Sequence, residues 1–340
     1  MIAPADPQPP RSAMPEPARA AELDRDGRNA TDRPIRRNEG EEAGMRTGVA
    51  GLGRMGSAIA ERLLEVGYEV VVWNRTPEKT KPLVGKGALA AADPAELAGE
   101  SDVVITILTD AGAIDTVYRG ENGLLAGDLK GKLVIDMSTV RPETEKRLAE
   151  DVRAAGATFV ECPVGGTTGP ARTGKLIGFM GGETADVERA RPVLEQLCRR
   201  LDHVGPVGAG ASVKLAINLP LLVYYQALGE AYSLLRHLGN DPELVMEIFA
   251  ESSGGPNILK SRGAAIGRVI AGDEPGPATF DVDSIRKDLR TMIEEARSRG
   301  FELPLVACAL GVYDEASASG LGGKDSSALA AYWPARTNRA

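Results

Sequence analysis

Histidine and cysteine, the residues that most often bind transition metals, are scarce in this chain of 340 residues. The two histidines, His203 and His237, belong to no HExxH pattern or similar cluster. A histidine-ligated metal and a Ser-His-Asp triad are therefore not expected. The three cysteines, Cys162, Cys198 and Cys308, are widely separated and form no CxxC pair. We expect each to be a small buried hydrophobic residue rather than a metal ligand or half of a disulfide.

Long apolar runs are also missing. No run reaches the length of a membrane span, and residues 1–44 contain no apolar core of a secretory signal. Those residues are rich in Pro, Ala, Arg, Asp and Glu, so we expect a disordered tail that cannot bury enough surface to offset chain entropy. Met45 directly precedes the first apolar strand, and a start there is a hypothesis. Loss of folding or activity in a chain beginning at Met45 would refute it.

The overall composition and length are those of an ordinary globular protein. Hydrophobic residues make up 43% of the chain and charged residues 26%, and the length suggests about two domains. The net charge of −8 argues against a nucleic-acid scaffold. We expect a soluble cytoplasmic protein with neither a nucleic-acid nor a membrane partner.

A glycine-rich turn follows the first apolar strand. The segment TGVAGLGRMG places Gly51, Gly53 and Gly56 in a GxGxxG pattern between that strand and an amphipathic helix. Glycines there allow a tight turn and let a pyrophosphate approach the backbone N–H groups at the helix start. The turn predicts a dinucleotide site, to which the residues between the glycines, Leu52, Arg54 and Met55, also belong.

The end of the second strand, YEVVVW, bears on the choice of cofactor. An acidic residue there would bind the ribose 2′-hydroxyl of NAD, but this chain has Asn74, Arg75 and Thr76. A guanidinium group suits a 2′-phosphate, so we predict NADPH in preference to NADH. The alternative is that Arg75 only points into solvent.

Later strands alternate with helical segments and predict a doubly wound, Rossmann-type parallel sheet. Ligands bind at the carboxyl ends of such strands. The strand SDVVITILTD ends at Leu108 and Thr109, and GKLVIDMST ends at Ser138 and Thr139. The loop after Val164 follows another strand. Each of these residues could instead be only a turn or helix-capping residue.

A long helix is predicted from Gly208 to Leu238, with Gly239 ending it. Lys214 and Asn218 are four residues apart and share one face of this helix. Because Val213, Leu215, Ala216 and Ile217 surround the lysine in sequence, we expect burial to lower its pKa toward neutrality. An amine of that kind can both take and give a proton. The alternative is a surface lysine whose stem crosses an apolar patch.

The residues that follow read as helices, with a loop at SSGGPN. We therefore predict a Rossmann domain over residues 45–207 and an all-α domain over residues 208–332, joined by the long helix. The pair Lys287-Asp288, taken alone, is typical of a solvated helix face.

Five motifs, taken in order, resemble those of the β-hydroxyacid dehydrogenase family. They are GLGRMG, DMST, PVGGTTGPARTGKL, GAGASVKLAIN and FDVDSIRKDL, and the resemblance extends over about residues 46–332. It implies that Lys214 is the proton donor and acceptor and that Asn218 holds the substrate. Ser138 would also bind the substrate, and Gly166 and Thr167 would hold its carboxylate.

The resemblance further implies that Thr139 and Lys287 contact the cofactor. The loop differs from the usual P-V-S-G-G of the family, with Gly165 for the serine and Thr167 for the last glycine. Ile217 stands where many members have a second asparagine. The loop and the N-R-T signature are similar to the branch of glyoxylate and succinic semialdehyde reductases, which prefers NADPH.

The expected activity is an NAD(P)-dependent hydride transfer between NADP(H) and a small carboxylate-bearing aldehyde or hydroxyacid. Imine reduction is one alternative, because imine reductases share this architecture but replace the lysine. A non-catalytic NADP-binding relative is the other. Apolar faces on several helices suggest a homodimer or homotetramer.

Overall fold

The structure is a computed structural model that describes residues 45–252 and 255–336. The tail over residues 1–44 lies outside the described part of the chain. Within the loop expected at SSGGPN, Ser253 and Gly254 also lie outside it.

Nine strands in the described residues form one sheet, ordered β3-β2-β1-β4-β5-β6-β8-β7 with β9 beside β8. The strands are β1 Thr47–Ala50, β2 Val70–Trp73, β3 Leu89–Ala90, β4 Val103–Thr106, β5 Leu133–Asp136, β6 Thr158–Glu161, β7 Val164–Gly165, β8 Leu176–Gly181 and β9 Cys198–Gly205. The first six strands are parallel, whereas β8 pairs antiparallel with both β6 and β7. The chain reverses its direction of winding between β1 and β4, which is where a doubly wound sheet binds its ligand.

Helices cover both faces of the sheet. They are α1 Arg54–Glu65, α2 Lys81–Val84, α3 Pro94–Gly99, α4 Ala111–Arg119, α5 Pro142–Ala154, α6 Thr168–Arg172 and α7 Thr184–Leu194. Alternate strand residues point to opposite faces, so Val49 and Ile105 belong to one buried cluster while Ala50 and Val104 belong to the other. The Rossmann-type sheet expected from the sequence is confirmed.

The expected long helix is α8, Ala209–Leu235, which would span about 40 Å at 1.5 Å per residue. It differs from the prediction in its last turn, because residues Arg236–Leu238 form a 3₁₀ turn before Gly239, whose φ is 65°. At its start α8 packs on β8 and β9, and farther along it packs on the last three helices of the chain. The helix therefore joins the sheet to the helical half, as expected.

Five further helices follow α8 in the described residues. They are α9 Pro242–Glu251, α10 Asn257–Ala271, α11 Val282–Ser298, α12 Pro304–Ala316 and α13 Ser327–Arg336. Their apolar side chains form one core around α8, in which the Tyr313 hydroxyl donates to the Leu222 carbonyl oxygen at 2.8 Å. The all-helical second half is confirmed.

One sequence expectation about the cysteines needs correction. The three cysteines are free, and Cys162 and Cys198 are buried as expected, but Cys308 is exposed. It lies on α12 away from the face that buries Val306, Ala309 and Tyr313.

In the described residues there is no cluster of three or more His, Cys, Asp or Glu side chains that could hold a metal. No described helix is long and apolar enough to cross a bilayer.

Candidate active site

The glycine-rich turn has the shape of a pyrophosphate cradle. Gly51 has a φ of +99°, and a Cβ there would lie 2.5 Å from the Ile107 carbonyl oxygen. A Cβ at Gly56 would lie 1.9 Å from the Gly51 carbonyl oxygen, so α1 can approach the turn only without a side chain. Around Gly53, which precedes α1, no atom lies within 4 Å of the Cβ position. This open space beside a helix N-terminus fits a dinucleotide pyrophosphate.

The residues between these glycines face in different directions. Leu52 is buried, and Met55 is partly buried against the same core. Arg54 forms an ion pair with Asp281, the N-cap residue of α11. This ion pair links the cofactor turn to the helical half of the chain.

The end of β2 lies beside the turn. The Asn74 side chain accepts a hydrogen bond from the Leu52 N–H at 2.9 Å and donates one to the Thr76 carbonyl oxygen at 3.1 Å. It therefore fixes the relative position of the turn and the strand end. Arg75 and Thr76 are exposed.

The loops after β4 and β5 contact each other through Ser138. Strand β4 ends at Thr106, before the expected Leu108 and Thr109, which lie in the loop that follows. The Ser138 hydroxyl accepts from the Leu108 N–H at 2.9 Å and donates to Asp136 Oδ2 at 3.2 Å. A hydroxyl has one proton, so in this arrangement Ser138 has none left for a substrate carboxylate. The geometry thus gives Ser138 a role in holding the loops, and the substrate contact that the resemblance implies stays a prediction.

A chain of hydrogen bonds begins at Lys214. Its Nζ donates to Asn218 Oδ1 at 3.0 Å, and Asn218 Nδ2 donates to Asp288 Oδ2 at 3.2 Å. The other Asp288 oxygen lies 2.5 Å from Lys287 Nζ, which also donates to the Thr139 carbonyl oxygen at 2.9 Å. We call these five residues the Lys214 network. The network joins α8 and α11 to the end of β5, beside the predicted cofactor crevice.

Burial lowers the pKa of Lys214 to about 8, whereas Asp288 opposes the shift and Lys287 adds to it. The residue keeps some accessible surface along its length, but its ammonium group lies among densely packed neighbours. The residues that flank Lys214 in sequence bury it only in part. Leu215 is buried, but Ala216 is exposed and Ile217 is 41% exposed. The desolvation therefore comes from tertiary packing more than from the flanking residues.

Asp288 is the member of the network that sequence reasoning missed. It is only 3% exposed, although the Lys287-Asp288 pair suggested a solvated face. A signal was present: on α11, Asp288 shares the buried face of Ile285, Leu289 and Met292. An acidic residue within an apolar stripe is expected to have a buried partner.

The segment between β7 and α6 supplies the remaining predicted residues. Gly166 has a φ of +120° and is exposed, and Thr167 precedes α6. Within the described residues, no hydrogen bond joins Gly166 or Thr167 to Lys214 or Asn218. The structure thus brings together Lys214, Asn218, Thr139 and Lys287. The segment with Gly166 and Thr167 is not hydrogen-bonded to Lys214 or Asn218 in the part of the chain that the structure describes.

Three carboxyl groups that the sequence did not single out are completely buried at this end of the sheet. Asp136 ends β5 and is paired in register with Glu161, which ends β6, and Glu145 belongs to α5. Burial raises the pKa of all three, and for Glu145 the charges of Asp136 and Glu161 add to the effect. No hydrogen-bond donor faces the Glu145 carboxyl within the described residues. Burial and the two neighbouring carboxylates therefore favour the protonated form of Glu145.

Replacing Glu145 by glutamine should stabilise the fold, and the gain should grow with pH. The raised pKa means that the folded chain keeps a proton which the unfolded chain releases near its ordinary value of 4.5. Folding therefore costs about 1.4 kcal/mol more for each pH unit above that value until the folded pKa is reached. Urea unfolding at pH 5 and pH 8 measures the difference between the variant and the parent. The exposed Glu150, in the same helix, provides the control Glu150→Gln. An equal difference at both pH values would refute the assignment of a neutral Glu145.

Both halves of the chain match families of known proteins. Residues 46–205 match the family model described as the NAD binding domain of 6-phosphogluconate dehydrogenase. Residues 208–333 match the model described as NAD-binding of NADP-dependent 3-hydroxyisobutyrate dehydrogenase.

Individual relatives are similar over most of their length. The 2-(hydroxymethyl)glutarate dehydrogenase of Eubacterium barkeri is 32% identical over 296 residues, which cover 87% of this chain and 97% of the relative. Glyoxylate/succinic semialdehyde reductase 2 of Arabidopsis thaliana is 31% identical over 83% of this chain and 77% of the relative.

Solved structures of related dehydrogenases are also similar to this chain. The 3-hydroxyisobutyrate dehydrogenase of Salmonella typhimurium has a TM-score of 0.75 at 26% identity, covering 84% of this chain and 99% of that chain. An imine reductase from Pseudomonas sp. has a TM-score of 0.57 at 22% identity over 84% of this chain and 98% of that chain, a likeness of fold alone. Together with the ordered motifs, these matches show that the chain belongs to the β-hydroxyacid dehydrogenase family of NAD(P)-dependent oxidoreductases that act on CH–OH groups.

Proposed function

We propose that this enzyme moves a hydride between NADP(H) and the oxygen-bearing carbon of a small carboxylate, either a β-hydroxyacid or the corresponding semialdehyde. The observation that carries this proposal is the desolvated Lys214 amine, with its pKa lowered to about 8 and its Nζ held by Asn218 at 3.0 Å. Such an amine is present in both protonation states near neutral pH. It can therefore act as an acid in one direction and as a base in the other.

Lys214 handles the proton of the reaction. When bound, the nicotinamide supplies or accepts the hydride. In reduction, the Lys214 ammonium donates a hydrogen bond to the carbonyl oxygen and then its proton to the developing alkoxide. In oxidation, the neutral amine removes the hydroxyl proton. Asn218 Oδ1 orients Lys214, and Asn218 Nδ2, which donates one of its two N–H groups to Asp288, offers the other to the substrate oxygen.

The substrate carboxylate is assigned to the segment between β7 and α6. Gly166 is exposed there, and Thr167 follows it at the start of α6. Ser138, which contacts the Leu108 backbone and the Asp136 carboxylate, is proposed to bind the substrate from the end of β5. Thr139 and Lys287, joined at 2.9 Å, are proposed to contact the cofactor.

NADPH is the proposed cofactor because Arg75 is exposed at the end of β2, with Asn74 and Thr76 in place of an acidic residue. Replacing Arg75 by alanine should lower the NADPH-to-NADH ratio of kcat/KM about 10- to 100-fold, since a hydrogen bond to a charged group is worth about 1.5–3 kcal/mol. Steady-state kinetics with both cofactors measures the ratio. The exposed Lys130 supplies the control Lys130→Ala. A ratio unchanged by Arg75→Ala would defeat the proposed preference.

The proposed reaction is tested by following NADPH oxidation with glyoxylate, succinic semialdehyde and tartronate semialdehyde. Turnover of at least one of these aldehydes is the expected result. Turnover of cyclic imines without turnover of any aldehyde would favour imine reduction instead. If NADPH binds but no substrate is reduced, the non-catalytic alternative gains support.

We also propose that residues 45–207 form the nucleotide-binding domain and residues 208–332 the helical domain of a cytoplasmic homodimer or homotetramer. The exposed apolar side chains of Leu234 and Leu238, 76% and 56% exposed, support self-association of the helical half. Light scattering in solution counts the subunits.

A further inference from the structure

The carboxyl group of Glu161 contacts the first turn of the helix that carries Lys214. Oε1 accepts hydrogen bonds from the N–H groups of Gly208 at 2.6 Å and Gly210 at 2.9 Å, and Oε2 accepts one from Ala211 at 3.2 Å. Glu161 is completely buried. The first N–H groups of a helix have no partner within it, so this one side chain satisfies most of the donors at the start of α8.

Small residues provide the space for this contact. A Cβ at Gly181 would lie 2.1 Å from Glu161 Oε1. A Cβ at Gly210 would lie 2.3 Å from the Phe179 carbonyl oxygen and 3.3 Å from the Glu161 carboxyl. The start of α8 therefore lies as close to β8 and to the end of β6 as backbone atoms allow. A carboxylate there also interacts favourably with the helix dipole.

Glu161 also lies between the two parts of the proposed site. It is the last residue of β6, and the loop with Gly166 and Thr167 begins only a few residues later. On the helix side, Lys214 is three residues beyond Ala211, about 4.5 Å farther along the axis. One side chain thus connects the strand that leads into the substrate loop with the turn that precedes the acid–base residue.

We propose that Glu161 is a positioning residue, whose carboxylate fixes the first turn of α8 so that Lys214 is held in place relative to the substrate loop. This inference rests on the proposed role of Lys214. A displacement of about 1 Å in a reacting group can cost about 100-fold in rate. Weakening the contact should therefore slow the proton-transfer step while leaving the distant glycine-rich turn intact.

The titratable groups around Glu161 bear on the pH dependence of the proposal. They are Asp136 at the end of β5, Glu145 of α5, the neighbouring Cys162, and Lys146, whose Cε lies 3.0 Å from where a Gly208 Cβ would be. Burial raises the pKa of Glu161 to about 7, and its three N–H donors oppose the rise. Below that pH Glu161 gains a proton and loses its charge. The kcat of reduction should then fall on the acid side, where Lys214 is already fully protonated.

The test compares the wild-type enzyme with Glu161→Gln and Glu161→Asp, using NADPH and whichever aldehyde of the three above is reduced fastest. Glutamine keeps the shape but presents an NH₂ group to one of the N–H donors. Aspartate keeps the charge but has a shorter reach. The control Asp241→Asn makes the same carboxylate-to-amide change at the start of α9, where Asp241 accepts a hydrogen bond from the Glu243 N–H. Lys214→Ala is measured in parallel.

Glu161→Gln is expected to lower kcat at least tenfold with the KM for NADPH within twofold, and to abolish the acid limb of the pH profile. The kcat of Glu161→Asp should lie between those of Glu161→Gln and the wild type. The kcat of Asp241→Asn should match that of the wild type. An unchanged kcat, a kcat loss matched by weaker NADPH binding, or an acid limb that persists in Glu161→Gln would overturn the proposal. If Glu161→Gln fails to fold, wild-type kcat in Glu161→Asp would overturn it. Full activity in Lys214→Ala would instead refute the proposed function itself.

Discussion

Replacing Lys214 by alanine is expected to lower the kcat of aldehyde reduction by about 10²–10⁴-fold, which is the usual contribution of a positioned general acid. The loss should fall on kcat, because the ammonium group acts on charge that develops only in the transition state. NADPH affinity should be retained, since the glycine-rich turn and the end of β2 lie on other elements. Steady-state kinetics and a fluorescence titration with NADPH separate the two quantities.

The exposed lysine of α2 provides the control Lys81→Ala, which should leave both quantities unchanged. A Lys214→Ala variant that keeps full turnover would remove this residue from the mechanism. A variant that loses NADPH binding to the same extent as turnover would show that the substitution disturbs the crevice as a whole.

The second large effect is expected at Asp288. The carboxylate raises the pKa of Lys214, pairs with Lys287 at 2.5 Å, and accepts the Asn218 hydrogen bond at 3.2 Å. In Asp288→Asn the charge is lost, so the pKa of Lys214 should fall further below 8. The basic limb of the reduction profile should move to lower pH, and kcat at pH 8 should fall about 10- to 100-fold, or about 1.4–2.7 kcal/mol.

Lys287→Met provides the matched variant, in which the pKa of Lys214 is expected to shift in the opposite direction. Lys287 lowers the pKa of Lys214, so its removal should move the basic limb to higher pH. It should also raise the KM for NADPH, because Lys287 is proposed to contact the cofactor. The pH dependence of kcat for both variants checks the pair of expectations. Shifts in the same direction would mean that the Lys214 network does not set the charge of the lysine.

The sheet could be predicted because its strands are strongly apolar and alternate with helical segments. The strand β9 could not, because CRRLDHVG is polar and much of it lies exposed at the edge of the sheet. Helix α10 lies in the stretch expected to be helical, although Gly263 and Gly267 weaken its helical pattern. In the structure these glycines allow close packing, and a Cβ at Gly267 would lie 2.7 Å from Glu243 Cα. Tertiary contacts thus stabilise helices and strands that the local sequence favours only weakly.

Within the candidate site, spacing alone identified the Lys214–Asn218 pair, because residues four apart on a helix meet on one face. The network beyond Asn218 could not be predicted in this way, since Asp288 comes from a helix 70 residues later in the chain. The motif pointed to Ser138 but not to the direction of its hydroxyl, which depends on the Leu108 and Asp136 neighbours. Spacing identifies neighbours on one element, whereas partners on different elements need the packed structure.

The buried carboxyl groups illustrate the same limit. Glu145 lies in the segment PETEKRLAEDVRA, where most acidic and basic residues are solvated. Only the register of β5 with β6 brings Asp136 beside Glu161, and only the packing of α5 adds Glu145 to them.

The pH dependence of kcat in both reaction directions tests the central claim most directly. With Lys214 as acid and base, the rate of reduction should fall as pH rises through about 8, because the ammonium form is lost. The rate of oxidation should rise through the same pH, because the neutral amine is gained, and both limbs should be absent from the residual activity of Lys214→Ala. Limbs near pH 8 that run the same way in both directions, or that persist near pH 8 without the lysine, would contradict the account.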